Sequence, residues 1–134
     1  MLQPDVTFPL ISCRDIAWVI AQELMEPDFS GKSVRALLGP RDYTMLEVSK
    51  ILGEAIGKPD LQYVQFSHED MKAGMMQFGV SASVAEAFNG LYEGINHGVF
   101  AVEKRDSSST TPTTLEEFAR IFAQVYHQKE SVHA

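Results

Sequence analysis

The order of strand-like and helix-like segments predicts an α/β protein of about five helices with a small, mainly parallel sheet. Three observations lead there. Five segments begin with helix-capping chemistry. Two largely apolar runs, 33–38 and 61–66, flank one of those helices. The helix between them, 45–56, is closed by Gly57 and Pro59. A strand, a helix and a strand in that order form a βαβ crossover, with parallel strands and a right-handed connection.

The elements follow in order. Residues 7–11 suit a strand that Pro9 restricts to a sheet edge, because proline has no amide to donate. Ser12 with Asp15 opens a helix ending near Met25, followed by Pro27. A Ser or Thr followed three residues later by an acid can satisfy the amide donors that a first turn leaves unpaired. The crossover comes next, its helix opened by Thr44 with Glu47. Ser67 with Asp70 opens a helix through about Phe78, which Gly79 stops. Ser83 with Glu86 opens another through about Asn96, stopped by Gly98. A short strand is expected at 99–102. The polar run 104–111 reads as an exposed loop. Thr113 with Glu116 opens the last helix, through about Tyr126, and 128–134 reads as a flexible tail. Apolar residues recur at helical spacing: Ile16, Val19, Ile20 and Leu24; Val48, Ile51, Leu52, Ala55 and Ile56; Leu115, Phe118, Ile121, Phe122 and Val125.

The 134 residues suit a single domain, 1–134. A formal net charge of −7 repels phosphate, so no nucleic-acid partner is expected. One cysteine, Cys13, cannot form an intrachain disulfide and suits the reducing cytoplasm. No basic segment followed by an apolar run opens the chain, and no apolar stretch approaches the ~20 residues that span a bilayer, so no leader and no membrane are expected. Two to four short strands are few for five helices, which predicts a portion of a larger layered structure or one completed by association.

No glycine-rich strand–turn–helix loop for a dinucleotide occurs, no phosphate-binding loop, and no Tyr-x-x-x-Lys pair. The histidines His68, His97, His127 and His133 lack the spacing of a helical metal pair, so no metal site is assigned. No nucleophile elbow appears, and no catalytic residue is assigned. Asp15, in the first turn of its helix, reads as a structural acceptor of amide hydrogen bonds. Met71, Met75, Met76 and Phe78 form a soft helix face that can be core or can line a pocket. Tyr92 and Asn96 share a face four residues apart, either as a surface helix end or as pocket wall. Met71, Met75, Tyr92 and Asn96 are the candidate substrate-pocket residues.

Three segments carry a family resemblance. They are Phe8-Pro9-Leu10-Ile11-Ser12-Cys13-Arg14-Asp15-Ile16-Ala17; Gly31-Lys32 through Leu38-Gly39-Pro40 with Thr44-Met45-Leu46-Glu47-Val48; and Thr111-Pro112-Thr113-Thr114-Leu115-Glu116-Glu117-Phe118-Ala119. In that order the chain resembles the C-terminal portion of NmrA-like proteins, atypical members of the extended short-chain dehydrogenase/reductase group. The resemblance implies a partial Rossmann-type architecture, on the substrate side of an NAD(P)-dependent oxidoreductase or of a redox-sensing regulator. It implies NAD(P) for the full-length family but no cofactor for this chain alone, whose cofactor loop has no counterpart here, and so no catalysis by the isolated chain. The expected partners are a small-molecule ligand and either a second copy or a Rossmann half. The competing expectation is a non-enzymatic ligand-binding or interaction module that self-associates, and a third is a small stand-alone enzyme whose pocket the methionines line.

Overall fold

The computed structural model describes residues 1–26, 30–99 and 104–132, with the side chains of 129–132 excepted. Among the described residues there are five α-helices and one two-stranded antiparallel sheet. The strands are β1 (Phe8–Pro9) and β2 (Asp42–Tyr43), paired Phe8 to Tyr43 and Pro9 to Asp42. The helices are α1 (Cys13–Met25), α2 (Met45–Ala55), α3 (His68–Gln77), α4 (Ala82–Asn96) and α5 (Leu115–Val132).

The helix starts obey local chemistry. Ser12 accepts from the Arg14 amide, and Ser67 from that of Asp70. Thr44 and Glu47 form both halves of a capping box. Two starts differ from the sequence reading. Ser81 caps α4 rather than Ser83, accepting from the Val84 amide. Thr114 opens α5 rather than Thr113: its hydroxyl accepts from the Glu117 amide and its own amide donates to the Glu117 carboxylate. Gly57 and Gly79 end α2 and α3 at positive φ, 74° and 84°, where a side chain would be strained.

The sheet corrects the sequence reading. A mainly parallel sheet does not form, and the 33–38 and 61–66 runs do not pair as a crossover. Leu38 makes an isolated parallel bridge to Thr110, and 61–66 contains no strand. The physical reason is the lack of a neighbour: a strand exists only where another backbone completes its ladder. Val34 is fully exposed, and Leu61, Val64 and Phe66 also face solvent. The expected strand at 99–102 lies mostly outside the described residues.

Two packings organise the helices, α2 against α5 and α3 against α4. Val48 of α2, Ile56 just past its end and Ala119 of α5 are buried on the first side, with Val19 and Tyr43 also in the core; Met71 and Ala85 are buried on the second. The core is small. The chain exposes 9694 Å², against roughly 7000 Å² for a compact monomer of its mass. Trp18, Ile20, Leu24, Phe118, Ile121 and Val125 remain exposed on α1 and α5.

Gly39 sets the approach of the β1 and β2 segments. A Cβ there would lie 1.7 Å from the Leu10 carbonyl oxygen, so only glycine fits.

Candidate functional site

Two regions are candidates. The first is an open groove of about 1310 Å³ where the start of α1, residues 35–43, α2 and the start of α5 converge. Trp18, Leu52, Phe118 and Ile121 supply its apolar wall. Its polar edge is a closed hydrogen-bond joint. The buried Asp15 carboxylate accepts from the Thr113 amide at 2.9 Å and the Thr113 hydroxyl at 2.6 Å. Burial alone would raise the Asp15 pKa, but hydrogen bonds from Thr113 and Thr111 and the Arg14 charge outweigh it and lower it. The structural role read for Asp15 stands, with its partners 98 residues away rather than in its own helix.

Tyr43, the most buried large side chain, accepts from the Leu115 amide at 3.2 Å. The Arg41 guanidinium lies 3.8 Å from its ring centroid and pairs with Glu47 at 2.9 Å. Arg35 is held by Glu23 at 2.9 Å. The groove's walls are therefore fixed, and Asp15, Thr113, Tyr43 and Arg35 all have partners.

Residues 104–111 border this groove. One oxygen of Asp106 accepts from the amides and hydroxyls of Ser108 and Ser109. With the Ser108 hydroxyl as the largest contribution, these bonds hold the Asp106 pKa at about 2. The turn presents Thr111 to Leu38, whose carbonyl accepts from the Thr111 amide and hydroxyl.

The second region is the α3–α4 hairpin, which holds the four residues singled out from sequence. Lys72 pairs with Glu86 at 2.6 Å, and His68 approaches Glu93 at 3.6 Å. The two pairs show that α3 and α4 run antiparallel. Met71 is buried, while Met75 and Tyr92 are half-buried. Asn96 is engaged elsewhere: its Oδ1 accepts from the Gln3 amide at 2.8 Å and its amide donates to the Met1 carbonyl at 3.0 Å. It straps the first residues onto the end of α4. The Tyr63 hydroxyl holds the same segment by donating to the Leu2 carbonyl at 2.8 Å. Burial, and then the Tyr92 phenol nearby, raise the Tyr63 pKa.

The sequence reading missed Asn89. It is 5% exposed on α4, and its Oδ1 has no hydrogen-bond partner. Leaving such an acceptor unpaired costs about 1–3 kcal/mol. The available signal was a polar residue four positions after Ala85 and three before Tyr92, on the inward face of an amphipathic helix.

The starts of the five described helices each carry a Ser or Thr side chain that accepts from one amide of the first turn. Among the described residues no group of three or more His, Cys, Asp or Glu side chains is placed to hold a metal, and no helix is long and apolar enough to cross a membrane.

Over 82 residues the chain is 35% identical to an NAD(P)H azoreductase of Xenophilus azovorans. The match covers 61% of this chain and 28% of that protein's length. No family model and no solved structure matches.

Proposed function

We propose that the chain is the substrate-side region of an NAD(P)-dependent oxidoreductase, working against a nucleotide-binding unit that supplies the dinucleotide. The carrying observation is the 35% identity to the azoreductase over 82 residues. The three NmrA-like segments running in family order support it. On this reading the exposed apolar faces of α1 and α5 dock the nucleotide-binding unit. Met71, Met75 and Tyr92 face the substrate, and Asn96 closes the pocket by strapping residues 1–3.

The test is a chimera in which the matching stretch of the azoreductase is replaced by this chain's. Retained NADPH binding with dye reduction of altered preference is expected. A folded chimera that binds NADPH yet reduces no azo dye or quinone overturns the reading.

A second reading has its own observation, the exposed area well above that of a compact monomer. In it the same apolar faces pair two copies as a non-enzymatic binding module. Light scattering separates them: this reading requires a dimer at micromolar concentration, and a strict monomer rules it out.

A further inference from the structure

We propose that residues 1–4 form a latch across the seam between the two helix pairs, and that releasing it lets the α3–α4 hairpin move as a unit against the α2–α5 packing. The inference deepens the strapping role given to Asn96. Its link to the pocket rests on the substrate-side reading; the movement rests on the contacts alone.

Three observations converge. First, helix packing is extensive within the pairs α2–α5 and α3–α4 and slight between them. Second, residues 1–4 are bonded to both pairs. At the hairpin, the Asn96 side chain grips their backbone twice: it donates to the Met1 carbonyl at 3.0 Å and accepts from the Gln3 amide at 2.8 Å. At the other pair, the Pro4 carbonyl accepts from the Leu46 amide, in the first turn of α2, at 3.3 Å. Between these ends Leu2 is buried, and its carbonyl accepts from the Tyr63 hydroxyl. Among the described residues, the hydrogen bonds that tie the hairpin to the distant chain are those of Asn96. Third, both chain connections to the hairpin are lightly constrained. Residues 62–66 form no strand, and Val64 and Phe66 face solvent. Gly98, just past α4, has a φ of 74°, and nothing stands within 4 Å of where a Cβ would be.

The chemistry of the latch suits a reversible contact. The side chains that hold the strap, Asn96, Tyr63 and Leu2 itself, are uncharged, and the bond from Gln3 to Asn96 is open to solvent. Water replaces such bonds when the strap lifts, so little is left unsatisfied. A segment held in this way opens locally before the fold as a whole. The joint between Asp15 and Thr113 is of the other kind, a buried carboxylate met by two donors, so the side formed by α1 and the start of α5 stays fixed while the hairpin moves.

The test is a distance across the seam, measured in the full chain. Spin labels go on Cys13, the one cysteine, exposed on α1, and on a second site introduced by Gln77→Cys at the end of α3. Double electron–electron resonance should show one narrow distance in this background. Asn96→Ala, which removes two hydrogen bonds, should raise the released fraction about thirtyfold and add a second distance. Gln3→Pro takes one donor from the strap, leaves α4 intact, and should raise it about fivefold. The Leu46 amide, at the far end of the strap, should exchange with deuterium faster by the same factors, which a purely local role of Asn96 would not produce. A distance unchanged in both variants, a broad distribution before either substitution, or a Leu46 amide that exchanges at the wild-type rate each overturns the proposal. Loss of helical signal in both variants overturns it too, since the hairpin then unfolds instead of moving. A chimera that binds NADPH and reduces no dye sinks the oxidoreductase reading and leaves these distances untouched, so the two failures are distinct.

Discussion

The joint between α1, β2 and α5 and the α3–α4 hairpin are both packings of short helices, but they are held by opposite means. In the joint the buried polar atoms of Asp15 and Tyr43 are met by Thr113 and Leu115 from the far end of the chain. In the hairpin the polar contacts, Lys72–Glu86 and His68–Glu93, sit outside, and the buried Asn89 has an unmet acceptor. Fully satisfied polar groups fix one geometry, whereas a buried unmet group weakens the packing that encloses it. The contrast is between a joint whose buried polar groups are met and a hairpin in which one is not.

Substitutions test this contrast through stability. Gly39→Ala sets a methyl on the Leu10 carbonyl and should cost about 3 kcal/mol or more, read as a lower urea midpoint at unchanged slope. Asp15→Ala should cost about 2–3 kcal/mol, because it strands the Thr113 donors beside a cavity. Acid should mimic part of that loss. The folded Asp15 pKa is lowered, so its contribution is complete above the ordinary carboxylate pKa of ~3.9 and drains away as pH falls through the folded value. Asp15→Asn should flatten that part of the acid-unfolding profile.

The hairpin should respond with the other sign. Asn89→Leu is expected to raise stability by about 1 kcal/mol, by removing an unpaired acceptor; a loss of similar size would show that Asn89 is structurally required. Thr44→Ala, which opens the capping box of α2, should cost about 1 kcal/mol. Lys72→Gln should change stability by less than about 0.5 kcal/mol, since an exposed ion pair contributes little. A larger loss there would mean that the hairpin is pinned as firmly as the joint.

What was legible in the sequence was what is decided within one turn of chain. Ser12, Thr44 and Ser67 announce their helices because a cap and its amide lie two or three residues apart. The misplacements have the same origin. Ser81 and Ser83 are both able to cap, as are Thr113 and Thr114, and only the fold chooses between them. Thr113 is released from capping because Asp15 claims it. Sheet pairing was not legible, since a strand depends on a remote neighbour. The runs at 33–38 and 61–66 have strand-like composition, but the backbone meets a partner at Phe8–Pro9 and Asp42–Tyr43 instead. Helical spacing places Met71 and Tyr92 on the faces that the hairpin buries or half-buries, while the lack of a partner at Asn89 is a property of the packed interface that spacing does not show. Asn96 was found by the same spacing, yet its amide serves the first three residues.

The bond from Asp15 to Thr113 also imposes a timetable. Synthesis runs from the N-terminal side, so α1 emerges nearly a hundred residues before its anchor. Until then the Asp15 carboxylate stays hydrated and the groove has neither the α5 wall nor its polar edge. Local elements such as the α3–α4 hairpin can form during synthesis, while the scaffold can lock only after the last helix has been made.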